Sequence, residues 1–220
     1  MHLQQVPSMP RARAILQSKY PYNISGRCIN REWFNLPMPQ VWDVFSEELY
    51  LTVINHNLLI HSFVLMNNHF HLLASTPDAN ISQCMYRLLK NVSLRLTQAG
   101  NRINQTFAGR HYKTILDHPS YYLNAYKYNY RNPVQACMAE RVEDYPYSTL
   151  HGLLGRSKLL IPLAFDDTLF DNIDDTLSWL NQKPSDQQNE AVRWALKRQY
   201  FKSKKDKLTN SSVLFDGEII

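Results

Sequence analysis

Residues 58–76 read LLIHSFVLMNNHFHLLAST, and the fold turns on how this stretch is divided. Residues 58–66 and 69–76 are largely apolar runs of strand length, separated by Asn67 and Asn68. Asparagine tolerates the positive φ of a tight turn, so the spacing predicts a β-hairpin. Side chains at i and i+2 of a strand share a face. His69 and His71 therefore project together from the second strand, and Phe70 points to the opposite side.

Working outward, residues 21–28 (PYNISGRC) read as a preceding strand. Pro37 and Pro39 open a helix over 41–55, where Val41, Val44, Phe45, Leu49, Val53 and Ile54 recur near helical spacing. Ile81, Met85, Leu88, Leu89, Val92 and Leu96 mark a second amphipathic helix over 81–98, and residues 112–116 read as a fourth strand. Pro119 opens a third helix that is expected to stop at Asn132, before Pro133. The succession predicts an α+β fold: a ferredoxin-like βαββαβ antiparallel sheet with a following helix.

The composition changes further on, which divides the chain into 1–158 and a helical extension with a polar tail over 159–220. Residues 164–178 hold Asp166, Asp167, Asp171, Asp174 and Asp175 without a base, and 183–207 turn basic. Pro184-Ser185-Asp186 reads as a helix start; two helices are expected across 165–202, then a tail of the last dozen residues.

With 220 residues, 44% of them hydrophobic, and only 6 Gly and 11 Pro, collagen-like, mucin-like and wholly disordered classes are excluded. No apolar run approaches the ~20 residues of a membrane span. Residues 1–10 hold no signal-like stretch, so secretion is not expected. Cys28, Cys84 and Cys137 are too dispersed for a disulfide framework or a CxxC zinc site, which fits a reducing cytoplasm. The net charge of +5 is unevenly spread. Residues 1–160 carry 16 Lys+Arg against 9 Asp+Glu, a surplus of +7, whereas 161–220 carry 8 against 10. A basic main body hints at a polyanionic partner.

Two constellations carry chemistry. The His69/His71 pair fits either a metal site with open positions or two polar residues on an alternating strand. The third helix holds Tyr121, Tyr122, Tyr126, Tyr128 and Tyr130, a density that helix propensity does not favour. Tyr122 and Tyr126 read as core aromatics with hydroxyls at a wet edge. Tyr128 and Asn132, at i and i+4, share another face. A phenol is a feasible nucleophile toward a phosphodiester, and an amide oxygen is a feasible metal ligand.

Several motifs occur in a linked order: Pro21-Tyr22 with Arg27-Cys28; 63–73 (FVLMNNHFHLL); Phe107-Ala108-Gly109-Arg110; Tyr128-x-Tyr130-x-Asn132-Pro133-Val134; and 144–149 (DYPYST). Together they resemble the HUH-type single-tyrosine transposases, and within them the branch associated with repetitive extragenic palindromes, over about residues 20–155. The resemblance implies that His69 and His71 bind metal, that Tyr128 is the nucleophile and that Asn132 is a third ligand. It also implies Mg2+ or Mn2+ as cofactor and single-stranded or hairpin DNA as substrate, cut through a 5′-phosphotyrosine link that leaves a 3′-hydroxyl. Asn67 stands where the family usually has proline, Gly26 where serine is common, Asn23 where histidine is frequent, and His111 is extra.

Because histidine must be neutral to bind metal, activity is expected to fall as pH drops through about 6. Arg27, Arg31, Arg87, Lys90, Arg95, Arg110 and Lys113 are candidate phosphate contacts, with Trp33 or Tyr112 stacking on unpaired bases. The basic stretch 193–207 reads equally as a hairpin contact or a solubilising face. A monomer is expected rather than a dimer that exchanges catalytic helices. A non-catalytic nucleic-acid binder on the same scaffold, and a nuclease in which water attacks, remain alternatives.

Overall fold

A computed structural model describes residues 15–101, 103, 105–107, 111–206 and 210–215. Strand β1 (Tyr22–Arg27) leads through a 3-10 turn (Ile29–Arg31) into helix α1 (Met38–His56). Strands β2 (Leu59–Leu65) and β3 (His69–Ser75), helix α2 (Ile81–Ala99), strand β4 (Tyr112–Ile115) and helix α3 (Pro119–Gln135) follow. The strands form one sheet in the order β2-β3-β1-β4, with every neighbouring pair antiparallel. This is the ferredoxin-like arrangement expected from the order of elements.

Local chemistry explains most boundaries. Helix α1 has proline in its first turn and ends on Asn57 in the left-handed conformation (φ 51), whose N–H bonds the Val53 carbonyl. The β2–β3 turn closes through Met66 N–H to the His69 carbonyl at 2.8 Å. Neither Asn67 nor Asn68 takes the positive φ expected of them. Their carbonyls instead accept from Phe34 N–H (2.9 Å) and Cys28 N–H (2.8 Å), stitching the turn to the chain after β1.

Pro133 does not stop α3, contrary to the sequence expectation. It stands in the last turn, where the missing N–H forfeits only one intrahelical bond, and the helix closes with Ala136 N–H on the Asn132 carbonyl.

The sheet separates two cores. On one face Ile24, Phe63, Phe70 and Leu72 pack against Val41, Phe45 and Leu49 of α1 and Met85, Leu88 and Val92 of α2. Fully burying each such side chain is worth roughly 1.5–3 kcal/mol. On the other face Val64, Leu73 and Leu116 meet Ala125, Tyr126 and Tyr130 of α3, and residues from beyond 159 join them: Leu169, Leu180, Val192, Leu196, Phe201 and Phe215.

After helix α4 (Thr149–Leu153) the extension forms three helices rather than two: α5 (Asp167–Asp171), α6 (Ile173–Asn181) and α7 (Asp186–Ala195). Asn172 makes the extra break, being extended (φ −150) and capping α6 through its side chain on Asp175 N–H. Helix α7 starts where the sequence places it, with Ser185 and Gln188 forming a capping box. Part of the expected tail is ordered too. Strand β5 (Lys204–Lys205) pairs with β6 (Ser212–Val213), and Phe215 is buried with its N–H on Asn124 Oδ1 at 2.7 Å.

Both outer edges of the sheet are covered. Along β2, Leu65 N–H bonds the Tyr147 carbonyl (2.9 Å), Tyr145 Oη donates to the Leu65 carbonyl (2.7 Å) and Thr149 Oγ1 accepts from Phe63 N–H (2.9 Å). The DYPYST motif at 144–149 is thus an edge seal. Along β4, Ile115 N–H bonds the Gln199 carbonyl and Phe201 N–H bonds the Ile115 carbonyl, both at 2.9 Å.

Candidate active site

Strand alternation places His69 and His71 on the α3 side of the sheet, and their ring centroids lie 5.1 Å apart. Helix α3 crosses this face. Asn129, at the helix–sheet contact, donates from Nδ2 to Asn23 Oδ1 of β1 at 2.9 Å, and both groups are buried. That bond sets the helix's rotation and brings Tyr128 to the histidines, its ring centroid 5.7 Å from that of His71. Asn132 donates from Nδ2 to the Tyr128 carbonyl at 3.1 Å, so its Oδ1 is the end left to accept or ligate.

These four side chains line one cleft of about 960 Å³. Arg27 and Arg31 from the β1 end, and Arg193 and Lys197 from the far end of the chain, line it as well, and among the described residues no Asp or Glu does. Tyr112, 61% exposed, stands at the rim as an aromatic platform.

The cleft chemistry suits a divalent cation. His71 is only 7% exposed, and neither ring nitrogen has a hydrogen-bond partner, an expensive state for a structural residue. Burial, then the neighbouring His69, Arg27 and Arg193, hold its pKa well below the ordinary histidine value. Burial first, and then the Arg27 and Arg193 charges, push His69 down to about 4. Both rings are therefore neutral at pH 7. His69 Nδ1 meets Asn68 Oδ1 at 2.8 Å; an amide oxygen only accepts, so Nδ1 carries the proton and Nε2 presents its lone pair. Among the described residues no cluster of three or more His, Cys, Asp or Glu converges. Asn132, which lines the same cleft, offers an amide oxygen as a further candidate ligand.

The structure thus brings together His69, His71, Tyr128, Asn132, Arg27, Arg31 and Tyr112. It does not bring Lys113, Arg87, Lys90 or Arg95 to the cleft. Lys113 points to the opposite sheet face, where its Nζ donates to Ser82 Oγ of α2 at 3.0 Å. Arg87 and Lys90 belong to α2, which packs on that same opposite face, and Arg95 is held by Glu47 and Glu48 at 2.6 and 3.2 Å. Trp33 is 69% exposed but does not line the cleft. Arg110 lies outside the described residues.

The other helix α3 tyrosines are packing residues, in part as expected. Tyr121 stacks on Phe201 (4.7 Å between centroids) and Tyr126 meets Tyr130 edge-on (4.8 Å). The Tyr126 hydroxyl is not at a wet edge, however: it donates to buried Asp166 Oδ2 at 2.6 Å. Sequence reasoning did not single out Asn68, and it offered Arg193 and Lys197 only within the basic run 193–207, as a hairpin contact or a solubilising face. The i,i+4 spacing of Arg193 and Lys197 on a helix is visible in the sequence, but where that helix docks is not.

The solved structure of a REP-associated tyrosine transposase bound to a REP hairpin superposes with a TM-score of 0.57 at 19% identity, covering 71% of this chain and 93% of that one. A presumed transposase from Deinococcus radiodurans R1 gives a TM-score of 0.37 at 17% identity over 54% of this chain and 95% of that one. The first likeness establishes the fold. No protein-family model matches the chain, and no curated protein does. Among the described residues no helix is long and apolar enough to cross a membrane.

Proposed function

We propose that this protein is a transposase-like enzyme that cleaves and rejoins single-stranded DNA at hairpin-associated sites, using Tyr128 as nucleophile. One observation carries the reading: a phenol, two neutral imidazoles and an amide oxygen converge in a cleft that, among the described residues, is lined by four basic side chains and no acid. The hairpin-bound state of the structural neighbour supports hairpin DNA as the partner.

His69, His71 and Asn132 would hold Mg2+ or Mn2+, which when bound supplies Lewis-acid polarisation of a non-bridging phosphate oxygen. Arg27 and Arg31 draw the DNA backbone into the cleft, and Tyr112 offers its exposed ring to an unpaired base. Tyr128 Oη attacks phosphorus in line, the bond to the 3′-oxygen breaks, and the phenol proton leaves to solvent at the cleft mouth. The departing 3′-oxygen takes a proton from water and ends as a hydroxyl. The 5′-phosphotyrosine keeps the bond energy, so attack by a 3′-hydroxyl reverses the step and joins strands without ATP.

Helix α3 is fixed within its own chain, by Asn129–Asn23, Tyr126–Asp166 and Arg131 Nη1 on the Leu180 and Asn181 carbonyls (2.9 and 2.7 Å). This favours a monomer that works with its own tyrosine.

The test is a labelled hairpin oligonucleotide incubated with the protein and Mn2+, then resolved on a denaturing gel. A covalent adduct that Tyr128→Phe abolishes is the expected outcome. Cleavage without an adduct would mean that water attacks, and binding without cleavage would leave a nucleic-acid binder.

A further inference from the structure

The basic run 193–207 divides in the fold. Arg198 lays its guanidinium over the Trp194 ring (3.1 Å to the centroid) and Lys204 approaches the same ring at 5.1 Å. Arg193 and Lys197, one turn apart on the other side, line the cleft that holds His69, His71 and Tyr128. Among the described residues neither takes part in an ion pair, and both are exposed.

Their placement is built, not incidental. Val192, Ala195 and Leu196 are buried in the core shared with α3. Thr114 Oγ1 of β4 donates to the Leu196 carbonyl at 2.8 Å, satisfying a helix-end carbonyl. Residues 199–201 then run along β4, with Tyr200 paired in parallel to Ile115. The end of α7 is thereby fixed to the same sheet whose face carries the histidines.

We propose that Arg193 and Lys197 form a phosphate-binding wall of the DNA site, in addition to Arg27 and Arg31, so that the C-terminal extension completes the nucleic-acid groove. The assignment rests on the reading of the cleft as a DNA site, and it adds a second source of backbone contacts. A guanidinium fork matches a phosphate bidentately, and an ammonium one turn away suits the next phosphate along a strand as a point charge.

The experiment is fluorescence anisotropy of a fluorescein-labelled hairpin oligonucleotide with single-stranded flanks, titrated in EDTA at several NaCl concentrations. Wild type, Arg193→Ala/Lys197→Ala, the charge-keeping Arg193→Lys/Lys197→Arg and a control outside the cleft, Lys158→Ala, are compared. Each single-strand phosphate contact contributes about 0.7 to the slope of log K against log salt, so the double alanine variant should lose about 1.4 and bind roughly tenfold more weakly or worse. The charge-keeping pair should retain most of the slope, and Lys158→Ala all of it. An unchanged slope in the double alanine variant, with adduct formation through Tyr128 intact, overturns this assignment alone. A slope that depends on Arg193 and Lys197 without any Tyr128 adduct supports the assignment and overturns the cleavage reading. Wild-type protein that does not bind the oligonucleotide overturns both.

Discussion

Replacing Tyr126 with Phe removes one hydroxyl and leaves the ring in place. That hydroxyl donates to Asp166 Oδ2 at 2.6 Å, and both residues are buried. The other Asp166 oxygen caps α5 through Leu169 N–H at 3.0 Å. Burial raises the Asp166 pKa above its usual value, while the Tyr126 hydroxyl and the Leu169 N–H pull it back. A hydrogen bond to a charged group contributes about 1.5–3 kcal/mol, and Phe fits the same space, so the variant should lose about 2 kcal/mol at pH 7. For a chain of this size that lowers Tm by roughly 4–8 °C.

The loss should also depend on pH. Without the phenol donor the folded-state pKa rises further, whereas the unfolded value stays near about 3.9. The folded variant therefore takes up a proton more readily than the unfolded chain as pH falls. The penalty is full above the folded pKa and shrinks as the carboxyl becomes neutral. Urea melts of wild type and variant at pH 7 and pH 4.5 measure the difference directly, since all other groups cancel. A loss below about 0.5 kcal/mol at pH 7, or one equal at both pH values, would refute the idea that this contact neutralises the cost of a buried carboxylate.

Two further outcomes are expected at the cleft. Asn68→Ala should weaken Mn2+ binding by roughly 10–100-fold, because His69 loses the acceptor that fixes its tautomer, while Asn68→Asp keeps that acceptor and most of the affinity; isothermal titration calorimetry reads both. Protons compete with metal for His69 Nε2, and burial with two flanking arginines pushes that pKa down to about 4, so Mn2+ uptake followed by EPR should persist well below pH 6 and fail nearer pH 4. A midpoint near pH 6, the value expected of an ordinary histidine, would show that the ring is not held in its neutral form.

Much of the site was legible because it depends on two short periodicities. His69 and His71 share a face by strand alternation, and Tyr128 and Asn132 by helical spacing. The same alternation should have warned that Tyr112 and Lys113 cannot both reach one cleft. Ser25 sits across from Tyr112 and from His71, and Ile24 across from Lys113, which assigns the two residues to opposite faces. Pro133 misled because a proline in a last turn disturbs far less than one in a helix interior. Arg193 and Lys197 were legible only as part of a basic run that read equally as a hairpin contact or a solubilising face. Their position depends on Thr114 and Ile115 receiving a segment more than 80 residues downstream, a tertiary pairing with no local signature.

On the proposed reaction, the clamping of α3 decides which component would travel during strand exchange. Buried hydrogen bonds tie the helix to β1, to the Asp166 cap and to the end of α6, so Tyr128 is a stationary post. A covalently held DNA end cannot be ferried elsewhere by a swinging helix. On that reading the strands themselves would slide or be replaced in the cleft, and the hairpin's own refolding would supply the motion that the protein scaffold withholds.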